Sequence, residues 1–124
     1  MTMQRIRIEL ARNHDFPEGS RERGYEFIAP LDAEGHIDAA EWRKERARCR
    51  ARRFWPGMAS EIGHLVHKPG GAWAFHYDIH GPIEDDETGY RFGKHAFKAG
   101  EYVSIKEHDG ELRTFRVISV QDFD

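Results

Sequence analysis

Hydrophobic and polar positions alternate over much of this chain. Residues 5 to 12, RIRIELAR, set Ile6, Ile8 and Leu10 on one side and Arg5, Arg7 and Glu9 on the other, the period of two that a half-buried strand shows. The run YEFIAP, 25 to 30, predicts a second strand closed by Pro30. Residues 62 to 78, IGHLVHKPGGAWAFHYD, read as a hairpin turning at Lys68-Pro69-Gly70-Gly71, with Pro-Gly suited to the centre of a type II turn. Trp73, Phe75 and Tyr77 then share one face, while His76, Asp78 and His80 take the other. An acidic loop from Glu84 to Glu87 and a short strand around Tyr90 and Phe92 follow. The clearest hairpin joins EYVSIKE to ELRTFRVISV around His108-Asp109-Gly110. A two-residue Asp-Gly turn would set Val103 and Ile105 against Arg116 and Thr114. A three-residue loop with Gly110 in the left-handed conformation instead aligns Val103, Ile105, Phe115 and Val117 on one side.

The alternation breaks between 30 and 55. There PLDAEGHIDAAE resembles the second half of an EF-hand calcium loop: with Gly35 at the sharp turn, Asp32, Glu34, Asp38 and Glu41 take four ligand positions. The first ligand position falls on Pro30, however, and YEFIA supplies no incoming helix. A helix start explains the same letters better. Asp38 as N-cap and Glu41 three residues on form a capping box, with Ile37 and Trp42 as the hydrophobic staple. The helix runs from Ala39 to at least Ala47. It either continues to Phe54, stopped by Pro56 and Gly57, or yields to a strand over Cys49 to Trp55. A continuous helix would align Arg43, Arg46, Arg50 and Arg53 in one stripe; a strand would put Arg48, Arg50 and Arg52 on one face. Either way the chain builds a row of arginines, with Lys44 beside it.

These elements predict a single mostly-β (α+β) domain over residues 1–124, a small antiparallel barrel or sandwich of about seven strands with one capped α-helix. Fifteen aromatics (3 Trp, 4 Tyr and 8 Phe) argue against disorder. The formal charge is −3, yet residues 38 to 55 carry seven bases and three acids, a net +4 against −7 for the rest. Global charge selects neither nucleic acid nor membrane; the local excess does mark a surface for an anion. The lone Cys49 cannot close an internal disulfide, which favours a reducing compartment. MTMQRIRIELAR has no signal-peptide apolar run, and no segment is long enough to span a bilayer as a helix. A cytoplasmic protein without a membrane partner is expected.

Little in the chain points to catalysis. Ser20, Ser60, Ser104 and Ser119 sit in no G-x-S-x-G turn, and no phosphate-binding glycine loop occurs. Arg48 and Arg50 beside Cys49 would favour a thiolate, although a buried structural cysteine is the commoner case. His76-Tyr-Asp78-Ile-His80 could hold zinc if Gly81-Pro82 bends the strand end and His64 or His67 joins from the neighbouring strand. Without such a metal no cofactor is implied. GGAWAFHY resembles the aromatic strand of an RNA-recognition motif in its small-aromatic-small-aromatic order, but the βαββαβ sequence of that family is missing. The aromatics serve better as core, since a barrel this small needs them inside. The sequence therefore predicts a non-catalytic binding module with an arginine-rich surface built from Arg43, Arg46, Arg50 and Arg53, its ligand a nucleic acid or another anion. Its rivals are a zinc protein, hydrolytic or not, built on the histidines, and a protein–protein adaptor using a free strand edge or the acidic loop.

Overall fold

Strands with one apolar and one polar face leave two unpaired edges unless the sheet curls until its ends meet. In the computed structural model, which describes residues 2–68, 72–77, 87–90, 92, 94–107 and 109–123, they meet. Among these residues eight antiparallel strands follow in chain order around a closed barrel. They are β1 (Thr2–Leu10), β2 (Ser20–Leu31), β3 (Arg50–Phe54), β4 (Glu61–His67), β5 (Trp73–Tyr77), β6 (Glu87–Tyr90), β7 (Tyr102–Lys106) and β8 (Leu112–Asp122). β8 pairs back onto β1, from Gln4–Asp122 to Leu10–Phe115, and so closes the ring. The expected small β-barrel with one helix is present, with eight strands where the sequence suggested about seven. The additional strand is β3: the helix α1 (Ala39–Glu45) ends after two turns and a 3-10 turn (Arg46–Arg48) leads into extended chain.

The residues that predicted the helix start do make it. Asp38 is extended, and its side chain accepts a hydrogen bond from the Glu41 backbone at 2.9 Å. The Asp38 backbone N–H is bound instead to the Pro30 carbonyl, which ties α1 to the end of β2. One Asp32 carboxylate oxygen accepts the backbone N–H groups of Glu34 and His36 within a tight turn, a local role that accounts for this residue without a metal. Those hydrogen bonds hold its pKa below the usual carboxylate value, the His36 contact first.

Inward positions follow the alternation strand by strand. Ile6 and Ile8, Tyr25 and Phe27, Phe75, Val103 and Ile105, and Phe115 are buried. Their rings interlock: Phe27 lies 5.1 Å from Phe75 and 5.6 Å from Phe97, and Tyr25 lies 5.2 Å from both Phe75 and Phe115. The interior is thus filled at this level by side chains. α1 closes one end, where the Trp42 indole donates to the Leu65 carbonyl at 3.0 Å and packs edge-on against Trp73.

Two hairpins settle questions of register. β7 and β8 pair Val103 with Phe115 around a three-residue loop in which Gly110 has φ 83°, so the alignment of Val103, Ile105, Phe115 and Val117 holds. β4 and β5 pair from Gly63–Tyr77 to His67–Trp73, although the expected type II turn at 69–71 lies outside the described residues. The expected strand around Tyr90 and Phe92 is shifted: it spans Glu87–Tyr90, and the Phe92 ring folds back over Gly89. A methyl group on Gly89 would overlap that ring, which is already wedged between Phe27, Phe75 and Phe97. Gly89→Ala should therefore cost about 1–3 kcal/mol of stability through overpacking. Urea denaturation checks this.

Candidate functional site

Two groups of charged residues stand out, one on the outside of the barrel and one within it. The strand parity of β3 divides them. Arg50 and Arg52 point outward, whereas Ala51 and Arg53 point inward.

On the outer face, β1 places Arg5 opposite Ile28 of β2, and β3 places Arg50 opposite His64 of β4, which in turn faces His76 of β5. Arg50 reaches His64 Nε2 at 3.2 Å. One step along the strands, Arg7 and Arg52 converge on Glu26 at 3.0 and 2.6 Å. Burial disfavours the Glu26 carboxylate, but the two guanidiniums outweigh it and its pKa falls below the ordinary value. Arg7 is further tied to Glu9 at 2.7 Å. Arg5, Ile28, Arg50, Arg52 and Ile62 line a surface depression beside Glu26.

The four arginines expected to act together are thus separated. Arg43 and Arg46 are exposed on α1 and its following turn, and no ion pair is formed by either among the described residues. Their neighbours Lys44 and Arg48 pair with Glu41 and Glu45. Arg50 lies on the outer face of β3. Arg53 leaves the surface altogether, its side chain 10% exposed. A single helical stripe cannot form, because α1 stops at Glu45.

The histidines are also divided. His64 and His76 are cross-strand neighbours on the outside, but a guanidinium already sits against His64 Nε2. His67 has the opposite parity and stacks on Trp73 at 4.0 Å near the α1 end. Asp78 and His80 lie outside the described residues. Among the described residues no three His, Cys, Asp or Glu side chains come together as a metal site. Cys49 is fully buried, and burial, aided by Glu45 and only partly opposed by Arg48, pushes its thiol pKa up to about 12.

Inside, at the end of the barrel away from α1, the inward positions change from apolar to charged. Tyr25 on β2 is paired with Arg53 on β3, and Arg53 with Glu61 on β4. Tyr77 closes β5, Glu87 opens β6, Glu107 follows β7 and Arg113 lies on β8. Arg53 Nε donates to Glu107 at 3.2 Å and lies 3.8 Å from Glu87; Arg113 donates to Glu107 at 2.9 Å and to Asp109. The Tyr25 hydroxyl lies 2.8 Å from Glu87 and 2.5 Å from Glu107, and the Tyr77 hydroxyl donates to Glu87 at 2.6 Å. Trp55 covers this ring, with the guanidiniums of Arg53, Arg23 and Arg113 at 4.3, 5.6 and 6.0 Å from it.

Glu87 and Glu107 are 0% and 4% exposed, so their charge interactions act in a low dielectric. Burial, and then the Glu87 carboxyl, pushes both tyrosine pKa values well above the ordinary phenol value. Burial opposes the Arg53 charge, yet Tyr25 and the two glutamates outweigh it and raise the pKa. Of the expected acidic loop Glu84–Glu87, only Glu87 is described, and it opens β6 with its side chain fully buried; residues 84–86 lie outside the described set. A signal for the ring did exist in the sequence: Glu107 comes two residues after Ile105, Arg113 two before Phe115, and Arg53 two after Ala51.

No known protein family, curated protein or solved structure matches the chain.

Because Arg53 neutralises buried carboxyls, Arg53→Met should destabilise the protein by about 3–5 kcal/mol. Arg52→Ala, on a half-exposed pair, should cost no more than about 1 kcal/mol. Equilibrium denaturation of the two variants measures the contrast. A thiol with its pKa near 12 has almost no thiolate at mildly alkaline pH. Cys49 should therefore stay unmodified by a disulfide reagent in the native protein and react promptly once denaturant unfolds it.

Proposed function

We propose that the protein is a non-catalytic binding module whose outer β1–β4 face takes an extended anionic ligand, with single-stranded nucleic acid as the class tested first. The outward row Arg5, Arg50, His64 and His76 carries this reading, because one level of the sheet presents cationic or protonatable groups on β1, β3, β4 and β5. Four strand spacings give the row a length of about 19 Å along the curved sheet, so it suits a chain of charges better than one small anion. Guanidinium forks bind phosphate bidentately, and the exposed Ile62 beside them offers apolar contact to sugar or base. Arg52 adds a second level, and Arg43 and Arg46 extend the positive surface past the start of β3. Arg53 does not belong to this surface, being committed to Glu107.

The zinc reading gains no comparable support, since His64 meets a guanidinium and His67 stacks on Trp73. Strand addition by a partner protein loses its premise as well, because the described strands close on one another.

Fluorescence anisotropy with a labelled oligonucleotide at several salt concentrations provides the test. Engagement of three phosphates by Arg5, Arg50 and Arg52 predicts a log–log salt slope of about −2 to −3. Arg5→Ala with Arg50→Ala should weaken binding and bring the slope to about −1. Absence of binding, a flat salt response, or a slope unchanged in the double variant would contradict the proposal.

A further inference from the structure

A carboxylate sits in the middle of the outer cationic face, where a surface for anions has least use for one. Glu26 on β2 is the direct cross-strand neighbour of Arg7 on β1 and of Arg52 on β3, and it shares one depression with Arg5, Arg50 and Arg52. Its two oxygens have separate partners: Oε2 accepts from Arg7 at 3.0 Å and Oε1 from Arg52 at 2.6 Å. The guanidiniums are anchored in turn, both over the Phe54 ring at 4.4 and 5.1 Å, and Arg7 also by Glu9 and the Arg21 carbonyl. The carboxyl is therefore a fixed feature of the face. Burial disfavours its charge, but the hydrogen bonds from Arg52 and Arg7 outweigh burial and keep it ionised at neutral pH.

An ionised carboxyl only accepts hydrogen bonds, and it has about four lone-pair positions. Among the described residues Arg7 and Arg52 fill two, one on each oxygen. The side chain is 29% exposed, so the remaining positions open towards whatever occupies the depression. A phosphodiester carries no hydrogen to offer them and is repelled. A ligand that suits both the arginines and Glu26 needs phosphate for the first and a donor close to that phosphate for the second. Ribose supplies the donor: its 2′-hydroxyl lies a few covalent bonds from the adjoining phosphorus, whereas deoxyribose has no group there. Glu26 is one outward position, about 6.8 Å along the strand, from the level of Arg5 and Arg50. That step is within reach of a sugar, while the donors on the bases lie beyond the sugar.

We propose, resting on the outer-face reading above, that Glu26 accepts a hydrogen bond from the 2′-hydroxyl of a bound nucleotide, so that this face takes single-stranded RNA in preference to DNA. Arg5 and Arg50 hold phosphates and supply affinity without regard to the sugar. Glu26 supplies the discrimination, and it does so from both directions: RNA gains a hydrogen bond to a charged acceptor, and DNA meets the same carboxylate as an uncompensated like charge.

Fluorescence anisotropy with labelled oligomers of one sequence, prepared as RNA, as DNA and as 2′-fluoro RNA, tests this. Wild-type protein should bind RNA about tenfold more tightly than DNA, the effect of a single charge-assisted hydrogen bond. The 2′-fluoro oligomer keeps the sugar shape of RNA but lacks the donor, and should bind like DNA; this measurement needs no variant. Glu26→Ala should bring the ratio of RNA to DNA affinity to about one. Any loosening of Arg7 and Arg52 in that variant acts on both oligomers alike and drops out of the ratio. Equal binding of RNA and DNA by the wild type, 2′-fluoro RNA bound as tightly as RNA, or a Glu26→Ala ratio equal to that of the wild type would each overturn this inference and leave the outer-face reading standing, provided binding weakens with salt. Absence of binding by every oligomer would remove both.

Discussion

The guanidinium of Arg53, held between Glu107, Glu87 and the face of Trp55, is the contact on which the arrangement of this barrel depends. A buried carboxyl without a cation is among the costliest things a core can contain, and this core holds two buried carboxyls, Glu87 and Glu107, each facing a guanidinium. Their presence inside is tolerable only because one arginine of the basic run turns inward to meet them and Arg113 arrives from the opposite side of the ring. That turn fixes the parity of β3. Once Arg53 points in, Arg50 and Arg52 must point out, and the outer cationic row takes its position from the same constraint.

The two ends of the barrel are sealed by different physics. Near α1 the closure is apolar and aromatic: Trp42, Trp73 and His67 pack on one another, with a single indole hydrogen bond to the Leu65 carbonyl. At the other end charge and hydrogen bonding do the same work. A polar ring of this kind contributes less to stability than apolar packing of equal volume would. It does impose a geometry, since each donor has a specific acceptor.

Much of the fold was legible from local pattern. Alternation located β1, β2, β4, β5, β7 and β8, the residues Ile37-Asp38 and Glu41-Trp42 located the start of α1, and the waste of apolar faces under a two-residue turn chose the register around Gly110. The end of α1 was not legible, because arginine fits a helix as well as a strand and the run from Arg43 to Arg53 has bases at both periods. The charged ring was missed for a related reason. Glu87 sits at the end of an acidic run, and polarity is ordinarily a sign of solvent; compensation by residues far away in the chain reverses its meaning. Tyr25 and Glu107 are separated by 82 positions, and no local window contains both. Only the parity of Glu107 with Ile105, of Arg113 with Phe115 and of Arg53 with Ala51 carried the information.

The division of the basic run into an inner and an outer set can be observed directly in the arginine side-chain resonances. Nitrogen-resolved spectra at slightly acidic pH should show the Arg53 Nε–H exchanging slowly with water and giving nuclear Overhauser contacts to the Tyr25 ring, while the Nε–H groups of Arg50 and Arg52 exchange rapidly. An Arg53 signal that exchanges as fast as that of Arg50, without contacts to Tyr25, would place Arg53 outside the barrel and contradict the charged ring and the outer row together.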